Sequence, residues 1–574
     1  MNIVGISGDC EHNSAVALIR DGELVYAEAE ERLSRIKCDG AFPHRALARA
    51  LERTGPGEVL FAAPGLPVLA EVLAAAGTNG REPGRAACAL RERAWFEIEL
   101  LAAADAAGAA VERVEHHRAH ARCAAYLAGG GDALVVTADG QGDGVSAAVW
   151  RHRDGALERL WDLPLADGSP GFFFAAVTEI LGYRRLRDEG KVTALAAAGA
   201  PHRPLESLMA EVLAIEPGSA GSPPRLRVDP ERVAPWSTGR PLHTPRFASE
   251  LGAFAAADVA RAAQERLEAA VLALLAPWTA GAPGGLLAVA GGLFANVRVN
   301  RRLAELPGVS RVAVAPPMGD EGLAVGAAVE AALRRGVEVA ACRTMLLGSP
   351  AVDGDLEDLL ARHPGFAVDP APPHEAASLA ARLLADGHVV ARCAGPGELG
   401  PRALGNRSLL YRPDDPGCGE WLNRHLGRDP VMPFAPCVRR EDLPVVTPVP
   451  AELYDGLEAM TVAVPVSAGF RRLCPGVVHG DGTARVQAVR RAAAPQMWAL
   501  LDHFHQLTGL PALLNTSLNR HGEPICGGLA DALVTAAASG IELILTDGGR
   551  LLHRSGRTAP VRLAASATGG RGGP

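Results

Sequence analysis

Two histidines four residues apart, His116 and His120, open an alanine-rich stretch in Glu115-His116-His117-Arg118-Ala119-His120-Ala121. On a helix that spacing sets both imidazoles on one side, one turn apart, as in metal-binding His-x-x-x-His helices. Two exposed helix histidines would show the same spacing. Two acidic positions favour the metal. Asp139 ends a very apolar strand, where a carboxylate is otherwise poorly placed, and Asp320 sits in a Gly-flanked loop ahead of a helix. Either can instead cap a helix or shape a turn. Together, two His and two Asp form a mixed nitrogen and oxygen donor set with room for a ligand. Such a set suits iron(II), manganese(II) or zinc(II) better than a closed structural zinc site.

A second group of residues reads as anion chemistry. After position 390 come three clusters: Gly400-Pro401-Arg402-Ala403-Leu404-Gly405-Asn406-Arg407-Ser408, His479-Gly480-Asp481-Gly482-Thr483-Ala484-Arg485, and Asn515-Thr516-Ser517-Leu518-Asn519. Any one is equally well a solvated loop, but three in one region suggest a phosphate-binding pocket. Earlier, Gly291-Gly292 ends an apolar strand and leads through Asn296 into a helix, a turn whose amides can approach a nucleotide. Of the 57 basic residues only Lys37 and Lys191 are lysines. A composition that writes Arg wherever either would serve makes these two candidates for sites needing a compact ammonium, such as a phosphate contact.

The elements that must hold these residues are legible as a repeat. Ile3–Ser7, Ser14–Ile19 and Glu23–Ala27 read as strand, polar loop, strand, Asp21-Gly22 turn, strand; the pattern returns at 133–138, 146–150 and 156–158 with Asp154-Gly155. A duplicated α/β unit followed by helical material is the plan of actin-type and sugar-kinase nucleotide-binding domains. At 574 residues two large domains are expected. The first is read as 1–346, with a Gly/Pro/Asp-rich linker over 347–356, a second α/β domain over 357–560, and a disordered tail over 561–574. A net charge of -8 disfavours nucleic acid as a partner. The N-terminus reads as a strand rather than a leader, apolar runs are too short to span a membrane, and the ten cysteines form no Cys-x-x-Cys pair. A cytoplasmic enzyme is the expectation, and a homodimer is left open.

In order and approximate spacing these motifs resemble the NodU/CmcH family of O-carbamoyltransferases from Ile3 to about Leu552. The matching pieces also include His12-x-Ser14-Ala15, Glu30-Glu31-Arg32 with Arg35-x-Lys37, and Glu189-Gly190-Lys191. The resemblance implies an N-terminal TsaD-like domain of the actin/Hsp70 superfamily followed by a YrdC-like domain. The YrdC-like domain would convert carbamoyl phosphate and Mg-ATP to carbamoyl adenylate. The TsaD-like domain would hold the adenylate on an iron-type metal and pass the carbamoyl group to a small-molecule hydroxyl. By motif match His116, His120, Asp139 and Asp320 become the metal ligands. His12 is the candidate base, since imidazole titrates near neutrality, or else it orients a loop or the acceptor. Lys37 is placed beside it in the catalytic set. Lys191, Gly291, Gly292, Asn296, Arg402, Arg407, Arg428, Arg485, Asn515, Ser517 and Asn519 become nucleotide or carbamoyl phosphate contacts. The YrdC-like signature pairs Lys-x-Arg with Ser-x-Asn; here Ser517-x-Asn519 is kept, but the first half reads Leu426-Gly427-Arg428.

Two other readings follow from the same residues. Transfer to a macromolecule, either tRNA or a hydrogenase maturation protein, is disfavoured by the acidic balance and by the lack of Cys-x-x-Cys zinc modules. A non-catalytic binding protein of the same fold would account for the missing lysine.

Overall fold

The structure is a computed structural model, and it describes residues 1–8, 13–65, 83–216, 218, 223–234, 240–352, 355–368, 375–428 and 432–555. His12, Val431 and the expected tail fall outside the described residues. The chain divides into two compact units. The first comprises 1–345 with 399–401 and 452–456; the second holds the remainder.

The first unit contains two five-stranded sheets of one design. Strands β1 (Asn2–Ser7), β2 (Ala15–Arg20), β3 (Glu23–Ala29), β4 (Val59–Pro64) and β5 (Ala110–Val114) lie in the order 3-2-1-4-5. In the second sheet β6 (Ala133–Gly142), β7 (Val145–Arg153), β8 (Ala156–Pro164), β9 (Leu286–Ala290) and β10 (Arg311–Val314) repeat that order as 8-7-6-9-10. Each begins as an antiparallel meander and continues with two parallel strands. The hairpin turns explain the repeat locally. Asp21-Gly22, Asp143-Gly144 and Asp154-Gly155 all have positive φ, the backbone that a twisted two-residue hairpin requires and that Asp-Gly adopts at little cost.

Two helices join the sheets. Helix α1 (His116–Leu127) packs on β6 and β9, and helix α2 (Glu321–Arg334) packs on β1, β2 and β4; the two also pack on one another. Their closeness depends on glycine. A Cβ on Gly5 of β1 would stand 1.8 Å from the Ala324 carbonyl oxygen, and one on Gly326 of α2 would stand 1.8 Å from the Ala119 carbonyl oxygen.

The second unit is built on an eight-stranded mixed sheet. Its central strands are Leu543–Thr546, Val390–Cys393, Arg407–Tyr411 and Ala512–Ser517. The segment expected to be a linker, 347–356, departs from that expectation. It includes most of the strand Leu346–Pro350, which pairs with Pro396–Glu398 inside this unit. Its Gly, Pro and Asp content suggested a loose connection, but long-range donors pin it. Arg407 donates to the Ser349 carbonyl at 3.1 Å and the Leu529 amide to the Ala351 carbonyl at 2.7 Å. No helix among the described residues is long and apolar enough to cross a membrane, and Cys38, Cys123, Cys342, Cys393, Cys418, Cys437, Cys474 and Cys526 are free.

Candidate metal centre and anion site

Glu115 starts α1 by accepting from the amides of His117 and Arg118. Asp143 accepts from the His116 amide at 2.8 Å. The helix therefore begins where the β6–β7 hairpin turns, and its first two turns present His116 and His120 toward Asp139 of β6. Asp320 occupies the N-cap position of α2, but its carboxylate makes no capping hydrogen bond. Instead Asp320 Oδ1 lies 3.7 Å from His116 Nε2 and 3.4 Å from His120 Nε2. Asp139 Oδ2 lies 4.0 Å and 3.1 Å from the same two nitrogens.

These four donor atoms all lie within 4.8 Å of one another. Donors bound at about 2.0–2.2 Å to one ion stand roughly 3–4 Å apart, so a small side-chain adjustment closes this set on a metal. Two observations support the fit. His116 Nε2 is buried without a hydrogen-bond partner, and glycines line the cradle. A Cβ on Gly142 would stand 2.2 Å from the His116 ring, and one on Gly292 would stand 3.1 Å from Asp139 Oδ1. The Gly292 amide donates to Asp139 Oδ2 at 3.2 Å, and Gly140 donates to Oδ1 at 2.6 Å. The Gly291-Gly292 turn, expected to meet a nucleotide, thus also serves to hold Asp139.

The intervening His117 has a different task. Its Nε2 meets the Val145 carbonyl at 3.0 Å and its Nδ1 meets Thr137 Oγ1 at 2.9 Å. A carbonyl only accepts, so Nε2 of this ring carries a proton. Burial, followed by the charges of His116 and His120, pushes it down to about 3. His120 moves the other way. Burial is the largest influence and lowers it, but the contacts with Asp139 and Asp320 outweigh that and lift it to about 9. Burial likewise raises Asp139, yet its contacts with His116 and His120 hold it well below the usual carboxylate range.

A metal must therefore displace the His120 proton, because only neutral imidazole coordinates. Below the His120 value of about 9, affinity for Mn2+ or Zn2+ is expected to fall about tenfold per pH unit for that one proton. Titrations in buffers of different ionisation enthalpy would count the protons released. An affinity that does not change between roughly pH 6 and 8 would refute this linkage.

In the second unit the sequence-predicted anion residues separate into two kinds. Arg407 is fully buried and donates to the carbonyls of Gly527, Ala394, Gly395, Asn406 and Ser349 at 3.0–3.1 Å. Its donors are committed to the frame. Arg402 and Arg485 differ. Each has a buried Nε without a hydrogen-bond partner, and neither forms an ion pair with a described residue. Burial lowers Arg402 to about 10, so it stays charged at neutral pH. Burial and then the Arg402 charge hold Arg485 well below its ordinary value. The nearby His479 is pushed down to about 4, first by burial and then by Arg485.

Asn515 gathers this cluster. It donates to the Ala403 carbonyl at 3.2 Å and to Gln487 Oε1 at 2.7 Å, and Gln487 donates to the Leu404 carbonyl at 2.6 Å. Those bonds bring the loop after Arg402 beside the strand after Arg485. Glu398, which the sequence did not single out, shapes the same loop: its Oε1 accepts from the amides of Leu404, Asn406 and Arg407 at 2.8–2.9 Å. Arg428 meets Thr516 Oγ1, Ser517 Oγ at 3.0 Å and Asn519 Oδ1 at 3.1 Å, so the retained half of the Lys-x-Arg signature does join Ser-x-Asn. Leu426, where the lysine would stand, is buried at 1% exposure. Arg424 is an exposed partner of Glu420.

The remaining expectations fall as follows. Asn296 caps the helix Val297–Arg302 and bonds Gln264 and Thr193 in a buried network. Lys191 Nζ pairs with Asp188 at 3.0 Å and stands 5.4 Å from the centre of the Tyr183 ring. Lys37 is half-buried, and its backbone carbonyl accepts from Arg187 at 2.6 Å.

The family profile described as "Carbamoyltransferase N-terminus" matches residues 92–329, and that described as "Carbamoyltransferase C-terminus" matches 381–552. The chain is 30% identical over 542 residues to the nodulation protein NolNO of Sinorhizobium fredii, covering 91% of this chain and 76% of that protein. It is 36% identical over 262 residues to the 3'-hydroxymethylcephem-O-carbamoyltransferase of Amycolatopsis lactamdurans, covering 45% of this chain and 47% of the other. Component A of the (R)-2-hydroxyglutaryl-CoA dehydratase of Acidaminococcus fermentans aligns at a TM-score of 0.35 and 15% identity over 58% of this chain and 99% of its own. The chain belongs to the NodU/CmcH family of O-carbamoyltransferases and is an enzyme of the transferase class.

Proposed function

We propose that the protein activates carbamoyl phosphate with ATP in its second, YrdC-like unit and transfers the carbamoyl group in its first, TsaD-like unit to a hydroxyl of a small molecule. The convergence of His116, His120, Asp139 and Asp320 within 4.8 Å carries this reading. The unpaired Arg402 and Arg485 support the activation half, and the printed name of the cephem carbamoyltransferase supports a small hydroxylated acceptor.

The chemistry needs two halves because a carbamate is a weak electrophile. Water releases phosphate from carbamoyl phosphate; a carbamate oxygen then attacks the α-phosphorus of ATP and expels pyrophosphate. Arg402 and Arg485 would bind and orient the phosphate of the donor, where buried guanidinium groups are strongest. Arg428, Ser517 and Asn519, bonded to one another, would add polar contacts to the same substrate. In the second half the acceptor oxygen attacks the carbamoyl carbon, AMP leaves, and the hydroxyl proton passes to a base, for which His12 is the candidate. A divalent metal held by the quartet would supply positive charge for the carbonyl and the leaving phosphate. Asp139 and Asp320 would fix its place, and His116 and His120 would leave part of its surface open to a ligand.

Pyrophosphate exchange into ATP, dependent on carbamoyl phosphate, tests the activation half directly. His12→Asn is expected to retain that exchange while slowing carbamoylation of an acceptor by about 100-fold, within the range of general-base contributions. Absence of exchange in the wild-type protein would favour the non-catalytic reading. Loss of exchange in His12→Asn would contradict the division of labour.

A further inference from the structure

Helix α2 meets α1 along a stripe repeating every four residues: Gly322, Gly326 and Glu330. The two glycines make a smooth face. A Cβ on Gly322 would come within 3.4 Å of Cys123 Sγ, and one on Gly326 would strike the Ala119 carbonyl. Such a face permits close approach but sets no register, because nothing on it projects into the partner helix. Glu330 is the exception. It is 2% exposed, and its carboxylate holds both arginines of the opposite helix: Arg118 Nε at 2.6 Å on Oε1 and Arg122 Nε at 2.7 Å on Oε2. Arg334 adds a third contact at 3.2 Å. The same two arginines reach the second sheet, Arg118 to the Leu157 carbonyl at 3.4 Å and Arg122 to the Gly155 carbonyl at 3.0 Å.

From this geometry we infer that Glu330 is a positioning residue for the metal centre. By clamping Arg118 and Arg122 it fixes the slide and rotation of α1 on α2, and so the separation of His116 and His120 from Asp320. The inference rests on the metal reading given above. Metal affinity depends on donor positions at the level of tenths of an ångström, and a helix free to shift on a glycine face does not keep them.

The test compares two buried carboxylates of the same kind. Glu268 is also 2% exposed and also holds two arginines, Arg298 and Arg302, each at 3.1 Å, but it contacts neither α1 nor α2 in these pairs. Titrating the full chain with Mn2+ alone, Glu330→Gln is expected to weaken binding at least fivefold and Glu268→Gln less than fivefold, although both lower Tm. Arg118→Met removes a partly exposed arm and leaves Glu330 paired with Arg122; it serves where Glu330→Gln does not fold, and should weaken Mn2+ binding at least threefold. The clamp is overturned if Glu330→Gln binds within fivefold of wild type, if Glu268→Gln weakens binding as much, or, where Arg118→Met is the variant measured, if that change is less than threefold. Equal Mn2+ binding by wild type and Asp139→Asn would overturn the metal reading itself, and the clamp with it.

Discussion

Asp139→Asn and His120→Ala are each expected to weaken divalent-metal binding at least about 100-fold, close to 2.8 kcal/mol, because each removes one of only four donors. Carbamoyl transfer should fall by a similar factor or more, while pyrophosphate exchange, assigned to the other unit, continues. The fold should survive. Asparagine at 139 can still accept from the Gly292 amide through its carbonyl, and His120→Ala removes a ring whose Nδ1 has no hydrogen-bond partner. Metal content by elemental analysis, circular dichroism and both half-reactions together decide the matter. Full metal occupancy in both variants would mean that the quartet is not the site.

Arg485→Ala or Arg402→Ala is expected to lower carbamoyl phosphate-dependent exchange at least about 1000-fold, close to 4 kcal/mol in the barrier. Two charge-assisted hydrogen bonds to a buried phosphate account for an effect of that size. Stability provides the distinguishing sign. Neither guanidinium forms an ion pair with a described residue, and the pair repels, so removing one should leave Tm unchanged or raise it. Arg407→Ala should do the opposite and destabilise by about 3–5 kcal/mol, since it leaves buried carbonyls without donors. Thermal melts beside exchange assays would separate the roles. A large loss of Tm in Arg485→Ala would make that arginine part of the frame.

Much of the first unit was legible from local signals. Asp-Gly at 21–22 and 154–155 dictates hairpins because few residues accept two consecutive positive φ values, and the recurrence of that pattern exposed the duplication. His116 and His120 were candidates by spacing, a spacing that two exposed helix histidines share, and Asp139 and Asp320 favoured the metal reading. The anion residues were legible only as a group. Arg402, Arg407 and Arg485 are the same residue type in similar sequence surroundings, yet one is consumed by five carbonyls and the other two each keep a buried Nε with no hydrogen-bond partner among the described residues. Glu398 carried no signal, because a carboxylate that organises three amides looks in sequence like any strand-end glutamate.

Turn chemistry, helical spacing and the scarcity of lysine act within a few residues or on composition, so the sequence by itself determined the hairpins, the paired histidines and the family. Which groups meet across the chain was decided by packing. Asp320 reaches His116 because Gly326 lets α2 approach α1, and Gly5 lets it approach β1. Residues 347–356, loose by composition, include a strand once Arg407 and Leu529 donate to them. The physical reason is range: a backbone turn depends on its own residues, whereas the worth of a buried charge depends on partners hundreds of positions away.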